Sequence, residues 1–111
     1  MINFLQETLN SLKIVGKTPE DVEFVSDGTD SITFEEFSKI ADFKYDDGYG
    51  LQEINANLVI VGDNWWLERA EYDGLEWWSY KTRPKKIIKN HNRPFMLTQR
   101  EKEEYVERLG F

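Results

Sequence analysis

The chain has 111 residues, 40% of them hydrophobic, with four Trp, five Tyr and seven Phe, no cysteine, and a formal net charge of −7. That length accommodates one domain, residues 1–111, with one modest core, and leaves no room for a second. The missing cysteines exclude a disulfide framework, a thiolate metal site and a cysteine nucleophile; the N-terminus reads as no signal peptide and no segment approaches the roughly 20 apolar residues of a membrane span, so a soluble, cytoplasmic protein is expected.

Phe4, Leu5, Thr8, Leu9 and Leu12 recur at helical spacing, which predicts an amphipathic helix over 3–13 that stops near Gly16. Thr18-Pro19-Glu20-Asp21 has the chemistry of a helix start, yet Val22 and Phe24 alternate with acids toward Ser26-Asp27-Gly28, and the spacing predicts a strand over 21–26. Thr33 and Glu36 stand at capping-box spacing ahead of Phe34, Phe37, Ile40 and Ala41, which predicts a helix over 34–42. "DFKYDDGYG" follows as a brief extended piece running into a glycine-rich turn.

The centre is a three-stranded antiparallel meander over 57–81: a β-branched run at Leu58–Val61, a turn at Gly62-Asp63-Asn64, a strand at Trp65–Tyr72, the hairpin signal Asp73-Gly74, and a strand at Leu75–Lys81. Side chains alternate across a strand, so each adjacent Trp pair must place one ring on either face of the sheet. A two-residue hairpin loop sets Tyr72 opposite Leu75 and Arg69 opposite Trp78, guanidinium beside indole; a three-residue loop shifts the register by one, and both stay open. In either register one Trp of each pair enters the core and the other lies among Glu68, Ser79 and Lys81. That second set is either a rim covered by long side chains and the C-terminal segment or an exposed aromatic patch used for binding, with Trp66 and Trp77 as the hot-spot candidates. Residues 81–97 form a basic, proline-broken loop. Thr98 and Glu101 then cap a helix over 98–109 whose narrow stripe of Tyr105, Val106 and Leu109 places it on the surface of the core, with Gly110 at its end. The fold class is α+β, a three- to four-stranded antiparallel sheet with short helices packed mainly on one face.

Little chemistry is legible. His91 sits between two asparagines in the basic loop and lacks a partner for catalysis or metal binding. "DDGYG" lacks the alternating oxygen ligands of a calcium loop, and no glycine-rich phosphate motif is present. Acid pairs in a chain this acidic arise by chance, so a non-enzymatic protein without cofactor or metal is expected. The charges are segregated: Glu20–Glu53 holds eleven acids against two lysines, whereas Lys81–Arg93 holds six bases and no acid. The basic strip could track nucleic acid, but the rest of the chain, at about −13, repels phosphate and disfavours direct binding. The acidic block is a solvated surface, an internal counterweight to the strip, or a negative face that docks on a basic groove.

The strings "EEFSKIADFKYDDGYG" and "LVIVGDNWWLERAEYDGLEWWSYKTRPKK" resemble a set of small proteins carried by phages and prophages of Gram-positive bacteria, over roughly Glu20–Lys86. The resemblance brings no catalytic residues. It implies a mobile-element setting in a host bacterial cell, where small acidic proteins often act as accessory or counter-defence factors that bind host proteins. The sharpest expectation is an inhibitor that places an acidic, nucleic-acid-like face in the basic groove of a nucleic-acid-handling host protein such as a CRISPR nuclease. The residues expected to carry the contact are Asp27, Asp30, Glu35, Glu36, Asp42, Asp46 and Asp47, with Trp66 and Trp77. The rivals are a structural or self-assembling protein, in which the basic strip of one copy meets the acidic block of another, and a small-ligand or enzymatic domain.

Overall fold

The elements follow from capping residues and from the two periodicities of the chain, and a computed structural model describes them over residues 1–48, 50–88 and 94–108, Arg108 by its backbone alone. Strand β1 (Ile2–Asn3) leads directly into helix α1 (Phe4–Ile14), where the Asn3 side chain accepts the Gln6 N–H and caps the first turn. The helix stops at Gly16, whose φ of 75° lets Gly16 N–H reach Lys13 O and Lys17 N–H reach Leu12 O. The helix-start signal at Thr18-Pro19 produces a single 3₁₀ turn, Pro19–Asp21, in which the Asp21 carboxylate accepts from the Thr18 backbone and hydroxyl. Alternating apolar residues then take the chain into β2 (Val22–Ser26), and β3 (Ser31–Ile32) folds back against it.

Helix α2 (Phe34–Ile40) begins at the Thr33–Glu36 capping box, each side chain bonded to the other's backbone N–H. It is shorter than the expected 34–42 because Phe43 O accepts the Phe4 N–H at 2.8 Å, which pulls the chain into β4 (Lys44–Tyr45), the partner of β1. Strands β5 (Val59–Gly62), β6 (Trp65–Tyr72) and β7 (Leu75–Thr82) form the meander, and helix α3 (Gln99–Arg108) follows the basic segment.

The main sheet is antiparallel in the order β3-β2-β5-β6-β7, so the α+β class is borne out, with β2 and the two-residue β3 extending the meander to five strands. Asp73 and Gly74, with φ of 50° and 88°, form a two-residue primed turn, which selects the register Tyr72↔Leu75 and Arg69↔Trp78. Trp65, Leu67, Arg69, Glu76 and Trp78 therefore face α1 and α2. Trp66, Glu68, Ala70, Trp77 and Ser79 face away.

Phe4 stands at the centre of the core. Its ring stacks on Trp78 at 5.7 Å and meets Phe37 and Tyr45 edge-on, both at 5.8 Å. A fully buried side chain of this size is stabilising by roughly 1.5–3 kcal/mol, against about 0–1 kcal/mol for a surface ion pair, so contacts of this kind dominate the stability of the fold. Helix α3 is largely exposed, and Tyr105 is its only half-buried side chain among the described residues. Its own pairs support it: Thr98 Oγ1 accepts the Glu101 N–H, and Arg100 meets Glu104 at 2.9 Å. Tyr49, His91 with the rest of 89–93, and the expected helix end at Leu109-Gly110 lie outside the described residues.

Candidate functional site

Between α1 and the inner face of the sheet, the chain buries an ionic network that the pairing of Arg69 with Trp78 anticipates only in part. Arg69, its side chain fully buried, donates through Nη1 to Glu7 at 2.5 Å and through Nη2 to the Tyr45 hydroxyl at 3.0 Å, and stands 3.6 Å from Glu76. Its guanidinium lies over the Trp78 ring at 4.7 Å and the Phe4 ring at 5.2 Å. The buried Glu76 carboxylate also accepts the backbone N–H of Glu53 at 2.7 Å and of Ile54 at 3.1 Å, which ties the 51–57 loop to β7. Tyr45 donates to Glu7, and burial first, then the Glu7 carboxylate, pushes its phenol well above the usual range. Trp78 Nε1 donates to Thr8 Oγ1 at 2.9 Å, and Thr8 in turn bonds Phe4 O. The sequence held a signal for this network: Glu7 lies on the Phe4–Thr8 stripe of α1, and Glu76 is in phase with Trp78 on β7. The carboxylates are consumed by the arginine, a phenol and backbone donors, so the network acts as a structural clamp joining α1, β4, β6 and β7.

The outer face of the sheet is the first candidate surface. Trp66 and Trp77 both lie there, Trp66 opposite Lys81 and Trp77 opposite Ala70, separated by about 13 Å along the strands. Phe24, Val59 and Val61 continue the face onto β2 and β5. Trp77 is 43% exposed and Tyr72 73%, while Trp66 is half-buried. The long side chains contribute one cross-strand pair, Lys81 to Glu68 at 3.9 Å, beside Trp66.

The acidic candidates do not share that face. Asp27 and Asp30 meet in the β2–β3 turn, where the Asp30 and Thr29 N–H groups, in that order, bond the Asp27 carboxyl and hold it below the usual carboxylate range. Glu35 and Glu36 occupy the first turn of α2; the Thr33 N–H, and then its hydroxyl, lower the Glu36 carboxyl in the same way. Asp42 accepts from Asn3 Nδ2 at 2.8 Å just past the other end of that helix. Asp46 accepts the Gly48 N–H at 3.0 Å, and Asp47 O accepts the Glu76 N–H at 2.9 Å, so both sit along the free edge of β7. The structure thus brings together Asp27 with Asp30, and Asp46 with Asp47, and divides the acids from the two tryptophans.

A cleft of about 450 Å³ opens between α2 and the Ser26 end of the sheet. Its walls are apolar (Val25, Ile32, Phe37, Ile40, Phe43 and Ile54), and Asp27, Asp30 and Glu53 line its polar side. At the opposite end of the sheet, Lys17 lies over the Trp65 ring at 5.5 Å and shares a shallow recess with Arg83 and Lys85. Among the described residues no His, Asp or Glu group of three or more is arranged to hold a metal ion, and no helix is long and apolar enough to cross a membrane. Comparison with known protein families, curated proteins and solved structures finds no match for this chain.

Proposed function

We propose that the chain is a non-enzymatic protein-binding module that docks through the outer face of its sheet, while the acidic block steers it toward a basic partner. One observation supports this above the others: that face presents Trp77, Tyr72 and Leu75 to water beside the half-buried Trp66, where an antiparallel sheet covered on one side ordinarily alternates to polar residues. Large aromatics on a rigid sheet lose little conformational freedom on binding and dominate protein interfaces. The charge block adds direction, since a local excess of carboxylates accelerates encounter with a positive surface and disfavours phosphate. A nucleic-acid-handling host protein, of the CRISPR nuclease kind, has that charge, and the phage likeness of residues 20–86 supports a mobile-element setting.

Asp27 and Glu36 already serve a turn and a helix cap, so Asp42, Asp46 and Asp47 are the residues to replace when steering is tested. Asparagine at each preserves the acceptor oxygen and removes the charge. In a tagged capture from host lysate, the wild-type chain should retain a dominant basic protein at low salt and release it at high salt. The triple Asn variant should retain at least about tenfold less, with an unchanged melting temperature. Equal retention at physiological salt would remove the acidic-face component.

A further inference from the structure

The helix-side cleft and the segment that leaves β7 are complementary in shape and in charge. Past Thr82 the chain carries Lys85, Lys86, Ile87 and Ile88, and the two isoleucines are 88% and 91% exposed. The cleft offers the converse: apolar walls, with Ile40 and Phe43 open to water, bordered by Asp27, Asp30 and Glu53. Adjacent isoleucines held in water beside lysines are poorly placed for a solitary chain and well placed for an apolar recess with carboxylates at its border.

The topology sets the segment and the cleft at opposite corners of the sheet, which favours a second copy as the occupant. Thr82 pairs with Trp65 at the Val22–Gly62 end of the sheet, whereas the cleft lies at the Ser26–Leu58 end. Four residues along β2 and three strand spacings separate the two corners, roughly 20 Å before the chain could turn onto the helix side. The Arg83 N–H bonds Asn64 O at 2.9 Å, which holds the segment to that corner as it leaves β7, and from Arg83 to Ile88 an extended chain spans at most about 17 Å. Ile87 and Ile88 stand in water, outside the cleft of their own chain.

We infer that the cleft is a self-association site: Ile87 and Ile88 of one copy enter the cleft of a second, where Lys85 and Lys86 meet Asp30 and Glu53. The contact joins two different surfaces, so it either closes reciprocally into a two-fold dimer or propagates as a chain. It leaves the outer face of the sheet free, and it stands independently of the proposed function.

Sedimentation of the full chain tests it. The wild type should run heavier than a monomer at about 0.1 M salt and shift toward the monomer at about 0.5 M. Ile87→Asp with Ile88→Asp, in an exposed segment, should weaken association by at least about tenfold without changing the melting temperature. Charge reversal supplies the sharper arm: Asp30→Lys/Glu53→Lys alone and Lys85→Glu/Lys86→Glu alone should both be monomeric, and their mixture should associate again. A wild type that is monomeric at millimolar concentration would overturn the inference. So would an oligomer indifferent to the isoleucine pair, an oligomer lost only on replacing Trp66 and Trp77, or a monomer whose cleft instead captures a host protein in an Asp30-dependent way.

Discussion

Arg69 shows how a single residue organises this fold. Its guanidinium is shared among Glu7, Tyr45 and Glu76 and rests on the faces of Phe4 and Trp78, so removing it strands two carboxylates in the interior. Arg69→Ala should lower stability by about 3–5 kcal/mol in urea unfolding, the usual consequence of breaking a buried pair from one side. Tyr45 supplies a pH-dependent readout. Its folded-state pKa is raised, so its contribution is fully present below the ordinary phenol value of about 10 and is lost as pH rises through the folded value. In an absorbance titration one phenol should stay protonated beyond about pH 10 and ionise only as the fold opens, and Tyr45→Phe should remove that late step. The sequence made half of this cluster legible. Arg69 and Trp78 can be paired once the hairpin register is assumed, whereas Glu7 and Glu76 carry no signal beyond their phase, which puts them on inward positions.

At the scale of elements, the parts that could be read were those whose signals lie within a few residues: the helix stop at Gly16, the Thr33–Glu36 cap, the Asp73-Gly74 hairpin and the alternation of the tryptophans. What could not be read depends on neighbours distant in sequence. The two-residue β1, β3 and β4 exist only because partners are waiting for them, and α3 lacks the apolar area that would fix its place. Gly62 illustrates the difference. It reads as a turn glycine, yet a Cβ there would stand 2.1–2.4 Å from three atoms of the Trp65 indole, so the glycine is present to let that ring lie on the backbone. Gly62→Ala should destabilise by about 1–3 kcal/mol, visible as a lower melting temperature. The capping acids predict an acid limb. Asp27 and Glu36 have lowered folded-state pKa values, so their contributions are present above the ordinary carboxylate range, about pH 4, and fade as pH falls through the lowered values. Glu36→Gln keeps the acceptor and should flatten the stability change between about pH 5 and 2, checked by thermal melts across that range.

Over the whole molecule, the charge asymmetry was legible and its geometry was not. The acids, one run in the sequence, separate in space into the cleft border, the two ends of α2 and the free edge of β7. The basic segment departs from the far corner of the sheet. The tryptophans divide by strand phase, Trp65 and Trp78 into the core, Trp66 and Trp77 onto the outward face, Trp66 half-buried and Trp77 exposed. Two surfaces of different character result, one aromatic and open, one apolar and bordered by carboxylates, and each asks for a different partner.

The aromatic surface is the one on which the proposed function rests, and the most direct test is a paired capture from host lysate with the wild-type chain and the Trp66→Ser/Trp77→Ser variant. Both residues face outward, Trp77 exposed and Trp66 half-buried, so the variant should stay folded at the capture temperature, which its melting curve checks. Loss of two interface aromatics should reduce recovery of the wild type's principal partner by roughly tenfold or more. Undiminished recovery of the same partner by a folded double variant would contradict docking through the outer face of the sheet.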